Sequence, residues 1–235
     1  MSEATANRNG HEPLIRIAGL RKTYKLGQQL VHALNGVDLS VEEGEFMVVM
    51  GPSGSGKSTL LYLLGGLDRA TAGTIDVAGL SIEHLDENAL ADYRRKQVGF
   101  VFQTFNLIPT MTAEQNVAYP MRFVGISRKA RNARARQLLE QVGLGNRLHH
   151  RPTELSGGQQ QRVAVARALV NDPRTILADE PTGNLDSTSG SEIMSLLSQL
   201  NRQGRTVLIV THDPRGAQYA THTVRLLDGR IDNDE

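Results

Sequence analysis

The sequence predicts an α/β protein with a mainly parallel sheet at its core, a small antiparallel β subdomain beside it and an α-helical subdomain inserted into it. Three observations carry this. Short apolar runs at residues 46–50, 98–102, 175–178 and 206–210 stop at Gly51 in the first case and at polar residues in the others, a pattern that suits buried strands. The runs at 14–17, 31–34, 37–41 and 73–77 are separated by polar turns such as Glu42-Glu43-Gly44-Glu45, which suits antiparallel strands. Between residue 103 and about residue 156 strand signals vanish and helix-capping residues replace them.

The chain has 235 residues, of which 39% are hydrophobic, enough for one domain of good size or a core with an insertion. A net charge of +1 supplies no field that draws the chain onto nucleic acid or anionic lipid, so no nucleic-acid partner is expected. Cysteine is absent, which excludes disulfides and thiolate metal sites and fits a reducing compartment. The opening stretch MSEATANRNGHEP is polar and lacks the apolar segment of a secretory signal. No apolar run approaches the roughly 20 residues that a membrane-spanning helix needs. Residues 1–12 are expected as a disordered tail and residues 13–235 as a single domain. Its core lies at about 13–97 and 160–235, and its helical subdomain at about 98–159.

In chain order, the run at 46–50 leads through a glycine-rich turn into a helical pattern at 57–64, a strand–loop–helix unit. Residues 86–96 are helix-like. Thr112 with Gln115 spells a capping box, and Pro120 interrupts the pattern that follows. Ser127 caps a helix with Leu138, Leu139 and Val142 on one face and Gly143 at its end. Ser156 opens another helix, which continues through residues 163–170. In an open α/β sheet, ligands bind at the carboxyl ends of the strands. Gly51, Gln103, the pair Asp179-Glu180 and His212 are therefore expected to converge on one edge.

GPSGSGKST, comprising Gly51, Pro52, Ser53, Gly54, Ser55, Gly56, Lys57, Ser58 and Thr59, fits the phosphate-loop pattern G-x-x-x-x-G-K-[ST]. The glycines let backbone N–H groups curl around phosphate oxygens, and the helix start adds its positive end. Lys57 can reach the β- and γ-phosphates, and the Ser58 hydroxyl can ligate Mg2+. By itself the loop says nucleotide, without separating kinase, GTPase or motor. In TILADE, Asp179 can hold Mg2+, directly or through water, and Glu180 can polarise an attacking water. Gln103 can touch the metal or that water, and His212, in VTHD, can donate to a γ-phosphate.

LSGGQ is a second anion site. Leu155, Ser156, Gly157, Gly158 and Gln159 open a helix in which Ser156 is a good N-cap and the glycines leave backbone N–H groups to a close ligand. Either the insert folds over its own chain's loop, or this helix start serves the nucleotide of a second copy. The latter makes two composite sites in a head-to-tail pair related by a two-fold axis.

The phosphate loop, Gln103, LSGGQ, ILADE, NLD at residues 184–186 and His212 stand in the order seen in the nucleotide-binding subunits of ABC (ATP-binding cassette) transporters. The sequence resembles that family over about residues 13–230. The resemblance implies the ABC ATPase fold, which is a P-loop NTPase core, with ATP and Mg2+ as ligands and active ATP hydrolysis. It implies that Tyr24 stacks on adenine and that residues 155–159 bind the γ-phosphate of a partner's ATP. It gives Glu180 the part of general base, His212 a γ-phosphate contact, Gln103 a coupling role and Asp186 a place at the dimer interface. The implied catalytic set is Glu180, His212, Gln103 and Lys57, and the implied metal set is Ser58, Gln103 and Asp179. Thr175 departs from the family by standing where an apolar residue is usual.

LLGGLDRATAGTI, FVFQTFNLIPTMTAEQNVAYP and ADEPTGNLDS resemble the branch that serves lipoprotein release, macrolide export and antimicrobial-peptide resistance. Many importers have a serine-alanine pair where this chain has Gly183-Asn184. This branch implies a separate permease with four spanning helices and a large extracytoplasmic domain, and a peripheral place on the cytoplasmic face of a bacterial inner membrane. The function implied is the powering of export, lipoprotein release or extracytoplasmic mechanotransmission. The alternative, from the cell-division ATPase of the same branch, is signalling to cell-wall enzymes without transport. Phe105, Leu107, Ile108 and Pro109 suit either a socket for the permease or packing inside the helical subdomain. Arg128, Lys129, Arg131, Arg134 and Arg136 read as a solvated helix face, with lipid headgroups or an acidic loop as the sharper alternative.

Overall fold

The structure is a computed structural model that describes residues 12–232; apart from Glu12, the predicted tail lies outside the described residues. The central sheet has the order β10-β9-β3-β8-β7-β6, with β3 Phe46–Met50, β6 Val98–Phe102, β7 Thr175–Asp179, β8 Thr206–Thr211, β9 His222–Leu227 and β10 Arg230–Asp232. All its pairings are parallel except that of β10 with β9. A second sheet, of order β2-β1-β4-β5, is antiparallel and contains β1 Ile15–Leu26, β2 Gln29–Val41, β4 Ala72–Val77 and β5 Leu80–Ser81.

The central strands are parallel because both of their faces are apolar and both are covered. Met47, Val49, Leu177, Leu208 and Val210 face one core, shared with the antiparallel sheet and with helix α1, Lys57–Leu64. Their neighbours Phe46, Val48, Ile176, Ala178, Val207 and Ile209 face the other core. That second core is filled from α3 Ala113–Ala118, α4 Arg128–Gln141, α5 Gly157–Ala168 and α6 Ser187–Arg202. Helix α2, Glu87–Gln97, starts at the Asp86 cap and buries Leu90 and Tyr93 on the first side.

The caps read from sequence hold. Thr112 and Gln115 form a reciprocal capping box, Ser127 accepts from the Ala130 N–H, and Ser156 and Gln159 form a second capping box. Two expectations change, and two strands appear that were not expected. The short runs at 14–17, 31–34 and 37–41 belong to two long paired strands, β1 and β2, whose polar residues lie on the outer face. Strands β9 and β10 carry no apolar run: in β9 only Val224 and Leu226 are buried, as befits a strand near the sheet edge. Residues 98–102, counted above with the helical subdomain, pair in register with Thr175–Asp179 and so belong to the core sheet.

Helix α1 is fixed from its C-terminal end by a close approach. A Cβ on Gly65 would run into the Phe100 ring. Gly65→Ala should therefore destabilise the fold by about 1–3 kcal/mol, the usual cost of overpacking. Urea unfolding checks this: the midpoint should fall at constant slope, and Phe100→Val in the same chain should restore part of the loss.

Candidate active site

Parallel register levels the strand ends. Met50 lies opposite Thr211, Val210 opposite Asp179, and Asp179 opposite Phe102. Every predicted site residue of the core thus leaves the sheet at one edge: the loop after β3, Gln103 after β6, Asp179 and Glu180 at β7, and His212 after β8.

The loop feeds α1 through Gly56, whose φ of +101° is left-handed and which makes no side-chain cap. The first N–H groups of α1 consequently lack a side-chain partner at their N-cap. The Lys57 ammonium is buried and donates to the Gly51 and Pro52 carbonyls, each at 2.8 Å. No carboxylate neutralises it among the described residues. The Ser55 hydroxyl is also buried and has no hydrogen-bond partner. An unneutralised ammonium, an uncapped helix start and an orphaned hydroxyl together fit the phosphates of a nucleotide.

Asp179 is 7% exposed and lies between two hydroxyls. Ser58 Oγ donates to its Oδ1 at 2.8 Å, and the Tyr62 hydroxyl donates to its Oδ2 at 2.7 Å. Burial, then the Asp179 carboxylate, push the Tyr62 hydroxyl up to about 12. The Ser58–Asp179 pair offers hard oxygen donors and fits Mg2+. Gln103 is not brought to this pair. Its amide turns to Gly183 and Asn184: Gln103 Nε2 donates to Asn184 Oδ1 at 3.4 Å, Asn184 Nδ2 donates to the Gln103 main-chain carbonyl at 3.0 Å, and a Cβ on Gly183 would stand 2.6 Å from Gln103 Nε2.

Glu180 sits just beyond β7 with φ +46°, a left-handed backbone that is unusual for a glutamate. Its N–H donates to the Val210 carbonyl at 2.9 Å. Its carboxylate meets His212 Nδ1 at 2.9 Å and the Thr211 hydroxyl at 3.4 Å. Two of the four predicted catalytic side chains, Glu180 and His212, are therefore in direct contact, with His212 largely exposed.

Tyr24 lies on β1, its hydroxyl donating to Asp68 at 2.7 Å and the Lys22 ammonium 4.7 Å from its ring centroid. Lys22 also donates to Asp68, at 2.6 Å. Burial raises the Asp68 carboxyl, but hydrogen bonds from Lys22, Tyr24 and the Arg69 N–H outweigh it and hold Asp68 below the usual carboxylate range.

Ser156 Oγ accepts from the Gln159 N–H at 3.3 Å, so the predicted signature opens α5 as a capped helix start. Its glycines face α6 closely: a Cβ on Gly157 would lie 3.3 Å from Leu185, and one on Gly158 would lie 2.9 Å from the Ser189 hydroxyl. Asp186, between them in sequence, caps α6 by accepting from the Ser189 N–H and hydroxyl, and those bonds hold its carboxyl low. Among the described residues, no hydrogen bond joins residues 155–159 to the phosphate loop.

Sequence reasoning passes over the residues that tie these pieces together. Gln161 of α5 donates to the Phe102 carbonyl at 3.3 Å and the Pro181 carbonyl at 2.7 Å. Arg167 donates to the Phe105 carbonyl at 2.8 Å and to that of Asn106, two residues with positive φ. Both side chains belong to the signature helix, but their partners are backbone carbonyls, which no motif encodes. Leu107 packs on the helical core and Phe105 approaches Gly157, so this apolar loop is at least partly internal packing. In the basic run, Arg136 pairs with Glu114 at 2.6 Å.

A phosphate loop, a level acid pair and a capped, glycine-rich second helix start define a nucleoside-triphosphate-hydrolysing cassette with a helical insert. Residues 34–183 match the family model described as ABC transporter. The chain is 51% identical over 222 residues to an uncharacterised ABC transporter ATP-binding protein of Thermotoga maritima, covering 94% of this chain and 95% of that one. It is 53% identical over 219 residues to the macrolide export ATP-binding/permease protein MacB 1/2 of Paracoccus denitrificans; these are 93% of this chain but 33% of that protein. The chain thus spans about a third of the length of that MacB relative. A solved dimer of the ATP-binding cassette MJ0796 bound to ADP and Pi superposes with a TM-score of 0.87 at 45% identity, covering 94% of this chain and 97% of that one. The chain belongs to the ABC transporter family and is its ATP-binding, ATP-hydrolysing cassette.

The Lys22–Tyr24–Asp68 cluster gives a pH test. A carboxyl whose folded value is depressed contributes stability above its unfolded value, near 4, and loses it as pH falls through the folded value. Asp68→Asn should therefore lower stability at pH 7 and make its decline between about pH 5 and 3 shallower than in the parent chain. Urea unfolding across that range checks it.

Proposed function

We propose that two copies of this chain bind two Mg-ATP between them, head to tail, and that their closure on ATP and reopening after hydrolysis move a membrane permease. The observation that carries the proposal is the packing of the signature. Gly157 and Gly158 pack closely against Leu185 and Ser189, on either side of Asp186, and among the described residues no hydrogen bond ties residues 155–159 to their own phosphate loop, which leaves them to serve the loop of a second copy. The solved MJ0796 relative is a dimer, which supports the same reading.

Within each site, Lys57 and the loop N–H groups hold the phosphates. Ser58 and Asp179 hold Mg2+, which when bound neutralises phosphate charge, and Gln103 joins them if it leaves Asn184. Tyr24 stacks on adenine from β1. Glu180, held by His212, orients water and takes its proton as the water attacks the γ-phosphorus in line, while the bond from that phosphorus to the bridging oxygen breaks and its electron pair leaves with ADP. His212 then donates to the departing phosphoryl oxygen. The partner's Ser156 hydroxyl and the N–H groups at its Gly157 and Gly158 stabilise that group from the other side.

The macrolide-export relative supports that branch for this chain, in which lipoprotein release is the other transport reading. Among the described residues no helix is long and apolar enough to cross a membrane. We place the chain at the cytoplasmic face of a bacterial inner membrane, held there by a permease of four spanning helices with a large extracytoplasmic domain.

Glu180→Gln should cut ATP turnover by about two to four orders of magnitude, the scale of a lost general base. It should also accumulate as a dimer in saturating Mg-ATP, measured by light scattering on a sizing column. A variant that stays monomeric there would contradict the paired site.

A further inference from the structure

We infer that Tyr62 is a positioning residue for the metal half of this site: its hydroxyl fixes the Asp179 carboxylate so that one oxygen stays turned to Ser58, where the two residues would hold Mg2+. The inference rests on the proposed reading of Asp179 as the metal-side acid.

Tyr62 stands four residues after Ser58 in α1, so the two side chains share one face of the helix. Each takes a different oxygen of Asp179, Ser58 at 2.8 Å on Oδ1 and Tyr62 at 2.7 Å on Oδ2. These are the only side-chain hydrogen bonds to Asp179 among the described residues, so the carboxylate plane is set by the two hydroxyls together. The Tyr62 hydroxyl is itself held in place. Its ring lies 6.5 Å from that of Phe102, which stacks on Phe100 at 5.4 Å. Phe102 is the residue paired with Asp179 across β6 and β7. The ring is therefore anchored on the strand next to the one that carries its acceptor.

The division of labour follows. Ser58 must offer its oxygen to the metal and so cannot also be the carboxylate's sole anchor. Tyr62 makes no contact that the metal needs, and its bond to Oδ2 survives metal loading. Without it, Asp179 can rotate about its terminal torsion, which is broad for a carboxylate. Outer partners of metal ligands commonly set affinity by about 10- to 100-fold. Tyr62→Phe keeps the ring and its packing and removes only the hydroxyl.

The test is binding of a fluorescent, non-hydrolysable ATP analogue to the full chain, titrated with free Mg2+. Tyr62→Phe should raise the Mg2+ concentration for half-maximal effect by about tenfold. Affinity for the analogue in EDTA should change less than about twofold, which a general loss of structure would not spare. Tyr62→His, which retains a ring N–H donor, should recover part of the shift. An unchanged Mg2+ requirement in Tyr62→Phe overturns the inference. Asp179→Asn separates the two levels: if it raises the Mg2+ requirement and Tyr62→Phe does not, the positioning role alone fails. If neither variant shifts it, the metal reading of Asp179 fails as well.

Discussion

The parallel register of β3, β8, β7 and β6 is the constraint on which the rest depends. Each strand is short, buried on both faces and hydrogen-bonded to its neighbour in step, so their carboxyl ends stop at one level. A slip of one residue in β7 would exchange Ile176 and Ala178 with Leu177 between the two cores and move Asp179 away from Ser58. The alternation of apolar residues between two unlike cores therefore fixes the chemistry as well as the fold. The catalytic groups need no direct link to one another in sequence, because the sheet brings them into line.

On that edge, α5 acts as the brace. Its first turn carries the signature, its middle carries Gln161, and its last turn carries Arg167. Through these it holds the end of β6, the segment after Glu180 and the loop after Gln103. The close contact of Gly158 with Ser189 sets its start against the cap of α6. A shift of α5 is therefore felt at the loop after Gln103, at the acid pair and at Asp186 together. That coupling is what a cassette needs if nucleotide held at one end of the helix is to move a partner near Gln103.

The central parallel strands, the helical insert and its caps were legible because they follow local rules: apolar runs with polar ends, and Ser or Thr followed three residues later by Gln. Strand β9 was not, since half-exposed strands at a sheet margin lack an apolar run. The β1–β2 hairpin was seen only in fragments because its outer face is polar. The phosphate loop, the acid pair and the signature were legible as motifs, and the level edge followed from the sheet class. The rotation of Gln103 toward Asn184 was not, because it depends on the absence of a Cβ at Gly183, far away in the chain. Tyr62 had a usable signal in its spacing from Ser58, although nothing local names its acceptor.

The claim at the centre is that each nucleotide is sandwiched between one copy's loop and the other's signature. The chain contains no cysteine, so single cysteines report cleanly. The most direct measurement places Ser53→Cys in one copy and Ser156→Cys in another, both also carrying Glu180→Gln, mixes them and oxidises with and without Mg-ATP. A disulfide between the two chains should form only with both variants and nucleotide present. A chain carrying both cysteines that closes on itself as a monomer, with no product between chains, would contradict it.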